Sequence, residues 1–349
     1  MRFTKLLLVI LILSSCKKEK PEPTTPDVLS NGILVLNEGL FQQNNSFISW
    51  IDLGSNEVTS DIFLNTNGRL LGDTGNDMKA YGGKIYVVVN NSNTVEVLNK
   101  RSCKSIKQVS MMNGGNGKQP RSIAFHQGKA YITCYDGYID VLDTVSLSIV
   151  QRIQVGSNPE GLAVSGNRLF VSNSGGLNYP NVDSTLSVID LTTYQEVDRV
   201  TVGKNPGGVR TDASGDIYVI TRGNYGSIPS RMVKVDPVLL TSQTFTFDAS
   251  SIERMGDHFL ITYFNYSNNS SQVKLFNTVT ETLENDNFLS TTGITTLYGV
   301  QYDPIRNKIY CLDAMSYTNT GYVRQYSSSG VFENNFHVGL NPSKLIFYE

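Results

Sequence analysis

Residues Val155 to Ser174 read V-G-S-N-P-E-G-L-A-V-S-G-N-R-L-F-V-S-N-S, and after a polar insertion Thr185 to Asp190 read T-L-S-V-I-D. Asn158-Pro159 is a turn, the run to Val164 is apolar, Ser165-Gly166-Asn167 is a second tight turn, and Leu169-Phe170-Val171 is rich in β-formers. Apolar residues alternate with polar or small ones at period two, and Gly, Asn and Pro stand between the runs, which predicts a three-strand meander. Glu196 to Val200 adds a fourth strand before V-G-K-N-P, ending at Pro206, starts the unit again. Four short antiparallel strands per repeat make a propeller blade.

Aligned on its second strand, the unit recurs as Ile33-Leu34-Val35, Ile85-Tyr86-Val87, Ala130-Tyr131-Ile132, Leu169-Phe170-Val171, Ile217-Tyr218-Val219, Phe259-Leu260-Ile261 and Ile309-Tyr310-Cys311. The intervals are 52, 45, 39, 48, 42 and 50 residues, the spacing of propeller blades. The first copy begins directly at its second strand, while Val338 to Phe347 hold an Asn-Pro strand with no blade behind it. The reading is therefore all-β, one seven-bladed propeller over 31–349, with the C-terminal strand completing blade 1 and closing the ring.

The V-G-x-N-P-x-G opening, the Phe170-Val171-Ser172-Asn173 strand and the Val188-Ile189-Asp190 exit resemble the YVTN-type repeat of surface-layer and YncE-like propellers. The resemblance covers all seven blades, strongly in blades 4 and 5 and more loosely in 1 and 6. Its residues are turn formers and core strands, so it speaks for fold more than for function.

Ahead of the repeats, Arg2 and Lys5 precede a short apolar run, Leu6 to Leu13, that ends in Leu13-Ser14-Ser15-Cys16. Eight residues are too few to span a bilayer as a helix, so the run reads as the core of an export signal. L-S-S-C resembles the bacterial lipobox, which implies a signal peptide over 1–16 and lipidation of Cys16. Residues 17–30, charged and with a Pro-Glu-Pro, read as a flexible stalk. The implied protein is an outer-membrane lipoprotein, exposed at the cell surface, and touches membrane only through its lipid.

A net charge of −2 gives no basic field for nucleic acid. Cys103, Cys134 and Cys311 are odd in number and widely spaced, hence free thiols in the core and no disulfide framework. His126, His258 and His337 share no ligand spacing and fall in or beside strands, so neither a metal site nor a histidine relay is indicated. No cofactor motif is found.

Propellers bind at one mouth of the central channel. The residue after each Asn-Pro turn, the head of each first strand, is Asn76, Arg121, Glu160, Gly207, Ser250, Tyr298 and, for the closing strand, Ser343. One acid and one base in adjacent blades predict an Arg121–Glu160 pair rather than a metal cage. The loops after the second strands carry Phe41 in blade 1, Tyr179 in blade 4, Asn224 and Tyr225 in blade 5, Asn265 and Tyr266 in blade 6, and Tyr317 and Asn319 in blade 7. Rings and amides on loops held by a rigid ring make a binding surface without a reactive group. The competing reading is that these loops pack on one another and their asparagines serve turns.

Three functions are compatible with such a chain. The first is a non-catalytic lipoprotein that captures a ligand at the mouth, and the second is an adhesion or protein-interaction scaffold. The third, a lactonase-like or quinoprotein-like enzyme, calls for a set of acids or a cofactor clamp in the channel, and neither is expected there. The chain is similar to YncE-like propeller lipoproteins of Bacteroidetes that capture cobalamin. That resemblance implies a corrinoid ligand and a TonB-dependent outer-membrane receptor as partner.

Overall fold

The computed structural model describes residues 28–265, 268 and 270–349. The signal segment, Cys16, most of the stalk and Tyr266 lie outside them. Seven four-stranded antiparallel sheets stand in a ring, and blade 4, with strands Pro159–Ser165, Arg168–Asn173, Thr185–Asp190 and Gln195–Thr201, is representative. The C-terminal strand Pro342–Phe347 pairs with Gly32–Asn37, the strand that begins the ring, with Leu345 opposite Val35. A short α-helix, Ile62–Asn67, is capped by Asp61 and buries Ile62 and Phe63.

Second strands are buried along nearly their whole length because each lies between two neighbouring sheets. Period two decides the partner. Leu169 and Val171 join a cluster with Tyr131 and Val141 of blade 3, while Phe170, between them, packs with Val209 and Val219 of blade 5. Seven such clusters each belong to one pair of adjacent blades, and the one that holds Leu345 spans blades 7 and 1.

The recurrent motif residues have local reasons. Asn158, Asn205 and Asn341 sit at φ 46°, 54° and 55°, a left-handed conformation that asparagine tolerates better than most residues. Thr74 and Gln119 hold the same conformation in blades 2 and 3, so there the turn survives without its usual residue. Asn173 accepts from the Gly156 amide at 3.0 Å and donates to Ser187 Oγ at 2.9 Å, tying its blade's strands together. A Cβ on Gly156 would lie 2.4 Å from that carboxamide, hence the glycine.

Blades are joined by hydroxyl bridges at the same level. Ser172 Oγ donates to the Gly207 carbonyl at 2.6 Å, and Thr133 Oγ1 to that of Glu160 at 2.8 Å. The thiols of Cys103, Cys134 and Cys311 are free and buried.

Candidate functional site

All seven first strands run down the central channel, a cavity of about 790 Å³. Their heads and the loops after the second strands meet at one mouth, as Pro159 opposite Asn173 shows for blade 4. Arg121 Nη2 donates to Glu160 Oε1 at 2.8 Å, so the pair expected from the strand heads forms across two blades. Tyr135 donates its hydroxyl to the other carboxylate oxygen, and its ring lies 4.7 Å beneath the Arg121 guanidinium. Arg222 stands 3.6 Å from the same carboxylate. Burial pushes the Glu160 carboxyl up, yet the charges of Arg121 and Arg222 and the bonds from Arg121 and Tyr135 outweigh it and hold the group at about 2.

Glycine at the head of blade 5 has a structural cause. A Cβ on Gly207 would stand 2.7 Å from Arg222 Cζ. The guanidinium thus fills from the second strand the place that a head side chain takes in blades 3 and 4. On the far side of the mouth Tyr298 donates to Glu38, whose carboxyl is pushed up by burial against that hydrogen bond and the charge of Arg121.

Aromatic side chains expected at the rim are there, 42 to 67% exposed for Phe41, Tyr179, Tyr225 and Tyr317. Among the described residues they form two stations, one on blades 4 and 5 and one on blades 7 and 1; Tyr266 of blade 6 lies outside those residues. Tyr179 and Tyr225 are tilted with centroids 6.3 Å apart on blades 4 and 5. Tyr298 and Tyr317 meet edge to face at 5.9 Å on blade 7, with Phe41 on the adjoining blade 1. In a ring of seven these stations face each other across the mouth. The amides divide between roles: Asn224 accepts from the Gly226 and Ile228 amides and Asn319 donates to Ser316, each holding its own loop, while Asn265 ends the strand His258–Asn265.

The channel itself corrects the expectation that it lacks acids. Asp77 and Lys344 lie one residue past their heads, and Lys79, Arg210 and Glu253 three past theirs, all on the wall. The residue two past the head, Leu162 in blade 4, belongs to the core cluster between blades. Strand periodicity therefore turns positions one and three into the channel. Reading only the heads misses them, and the same alignment carried three residues further finds them. Arg210 and Glu253 approach to 3.7 Å, as do Lys79 and Asp77. Burial pushes the Glu253 carboxyl up despite Arg210; the Asp77 carboxyl, which burial also pushes up, is brought down by Lys79 and Lys344.

None of the histidines lines the channel. Among the described residues no three of His, Cys, Asp or Glu gather as a metal site would require.

A rigid seven-bladed ring with a charged neck and a rim of exposed rings defines the class, a ligand-binding or interaction propeller. Within it the chain belongs to the DUF5074 family, a domain of unknown function, whose profile matches residues 31–339. A comparison with curated proteins finds no match. Among solved structures it is similar to a quinoprotein alcohol dehydrogenase-like protein from Bacteroides thetaiotaomicron, with 13% identity, a TM-score of 0.69 and coverage of 92% of this chain and 79% of that one. A protein from Lactobacillus plantarum gives 13%, 0.62, and 92% and 100% coverage. Kuenenia stuttgartiensis hydrazine synthase gives 15%, 0.60, and 75% and 85%. At such identities the likeness is one of fold.

Proposed function

We propose that this protein is a non-catalytic capture propeller that holds a broad, flat ligand across its mouth, a corrinoid such as cobalamin being the chemistry that suits it best. The carrying observation is the pair of exposed aromatic stations, Tyr179 with Tyr225 and Tyr298 with Tyr317 and Phe41, on opposite sides of one opening. Rings on a rigid frame supply apolar area at low entropic cost, and a corrinoid offers apolar faces to them and amides to the loop backbone. The acids of the mouth and channel each have a base or hydroxyl beside them, Glu160 with Arg121, Glu253 with Arg210, Asp77 with Lys79 and Glu38 with Tyr298. Such pairing favours binding over acid–base chemistry.

A lipid on Cys16 places the propeller on the outer membrane, at the cell surface, where a TonB-dependent receptor is its partner. Titrating the full-length chain, held in mild detergent, with cyanocobalamin by calorimetry tests the reading. Heat that saturates supports it, and none at micromolar protein removes the corrinoid. In that case the adhesion or interaction scaffold, which uses the same exposed rings against a protein, takes its place.

A further inference from the structure

We propose that the neck of the channel, below the rim, is a separate binding site for a small oxyanion, a phosphate or carboxylate group, held by Lys79, Arg210, Arg222 and Lys344. These four cations come from blades 2, 5 and 1 and surround a cavity of about 190 Å³ together with Asp77 and Glu160. Four positive charges face Asp77 and Glu160, with Glu253 beside Arg210 on the adjoining channel wall, and Glu160 is already bound to Arg121 from outside the cavity. The whole protein, by contrast, carries −2. A narrow opening with an excess of one sign of charge within low-dielectric walls concentrates ions of the other sign.

The cations are only loosely matched by carboxylates, although Lys79 Nζ donates to the Ile123 carbonyl at 2.5 Å and Arg210 Nη1 to that of Val209 at 3.0 Å. Lys79 and Arg210 stand 3.7 Å from their carboxylates, and Arg222 3.6 Å. The Lys344 ammonium has no hydrogen bond and no ion pair among the described residues, and it reaches Asp77, Glu253 and Glu38 only through the longer-range field. Room is provided by design of the backbone: a Cβ on Gly208, at the neck, would have no neighbour within 4 Å. The cavity accommodates an oxyanion with several waters, and two guanidinium forks beside two ammonium groups are the donors that phosphate and carboxylate oxygens take. This site stands whether or not the rim holds a corrinoid.

Thermal melting of the full-length chain in detergent is followed with sodium phosphate, sodium acetate or sodium chloride at matched ionic strength. Phosphate or acetate at millimolar concentration raises the melting temperature above the chloride control, as a ligand of the folded state must. Calorimetry then shows the affinity for that anion falling about tenfold in Lys344→Met and in Arg222→Met, and unchanged in the surface variant Lys107→Met. In chloride, Lys344→Met melts close to the parent, because the charge it removes repels Lys79 while it attracts Asp77 and Glu253. Shifts no larger than with chloride for both anions overturn the proposal. So does an anion effect that persists in Lys344→Met and Arg222→Met, or is lost equally in Lys107→Met. Since cyanocobalamin binding is measured separately at the rim, its absence leaves this result intact.

Discussion

Arg121 of blade 3 holds Glu160 of blade 4 at 2.8 Å, and the carboxylate's other oxygen is closed by Tyr135. The pair joins two blades at the mouth, with most of both side chains out of water. Removing one partner of such a pair leaves an uncompensated charge and costs about 3 kcal/mol, so Glu160→Gln and Arg121→Met each melt several degrees lower at neutral pH. The folded carboxyl titrates at about 2 against an ordinary 4.5. Its contribution is therefore complete above pH 4.5 and fades as the pH falls from there towards 2. The melting difference between the parent and Glu160→Gln is expected to be widest at neutral pH and to close over that window. A gap that stays constant down to the acid end contradicts it.

Ring closure gives a second prediction. Removing Asn341 to Glu349 takes away the strand paired with Ile33 to Asn37, and with it the buried Leu345, Ile346 and Tyr348, the last edge-on to Trp50 at 5.3 Å. At about 2 kcal/mol for each buried large side chain, the loss approaches the whole stability of a typical domain, before the exposed edge of Gly32–Asn37 is counted. The truncated chain is expected to lose its cooperative melting transition by circular dichroism. A transition like that of the parent rules closure out.

Much of this was legible in the sequence for a physical reason. Leu169-Phe170-Val171 and its six counterparts are apolar because each packs between two sheets, and the Asn158-Pro159 pattern recurs at Asn205-Pro206 and Asn341-Pro342 because a left-handed turn starts those first strands. Arg121 and Glu160 stand at equivalent positions in neighbouring blades, so their pairing could be read from the repeat. Arg222 could not, because it reaches the mouth from the end of a second strand over Gly207. For Asn224, whose carboxamide holds its own loop, the sequence offered both a ligand contact and a turn role, and only the loop's path decides between them. Lys79, Arg210 and Glu253 were within reach of the period-two rule once the strand heads were aligned.

Cys16 lies outside the described residues, and among those described no helix is long and apolar enough to cross a membrane. If the lipid is the anchor, Cys16→Ser leaves the protein in the supernatant after membranes are washed with high salt, while its melting curve stays that of the parent. Retention of Cys16→Ser in the washed membrane fraction contradicts the lipobox reading.

The rim offers the most specific prediction. Tyr225 is 67% exposed in the free protein, its hydroxyl accepts from Asn205 Nδ2 at 3.1 Å, and its ring leans towards Tyr179. The polar edge is thereby fixed while a face remains for a ligand, so little ordering is left to be done on binding. Tyr317, 42% exposed against Tyr298 across the mouth, is the opposite anchor. Truncating one buried aromatic anchor costs on the order of 2 kcal/mol, roughly thirtyfold in affinity. Tyr225→Ala and Tyr317→Ala are each expected to weaken cyanocobalamin binding by about that factor in calorimetry. Phe332→Ala, half exposed on the outer strand Phe332–Leu340, leaves it unchanged. Because the two stations belong to separate, non-adjacent blades, the double variant Tyr225→Ala/Tyr317→Ala loses close to the sum of the two free energies. Tight binding that survives both substitutions moves the ligand off the rim, and a loss at Tyr225 alone confines it to blades 4 and 5.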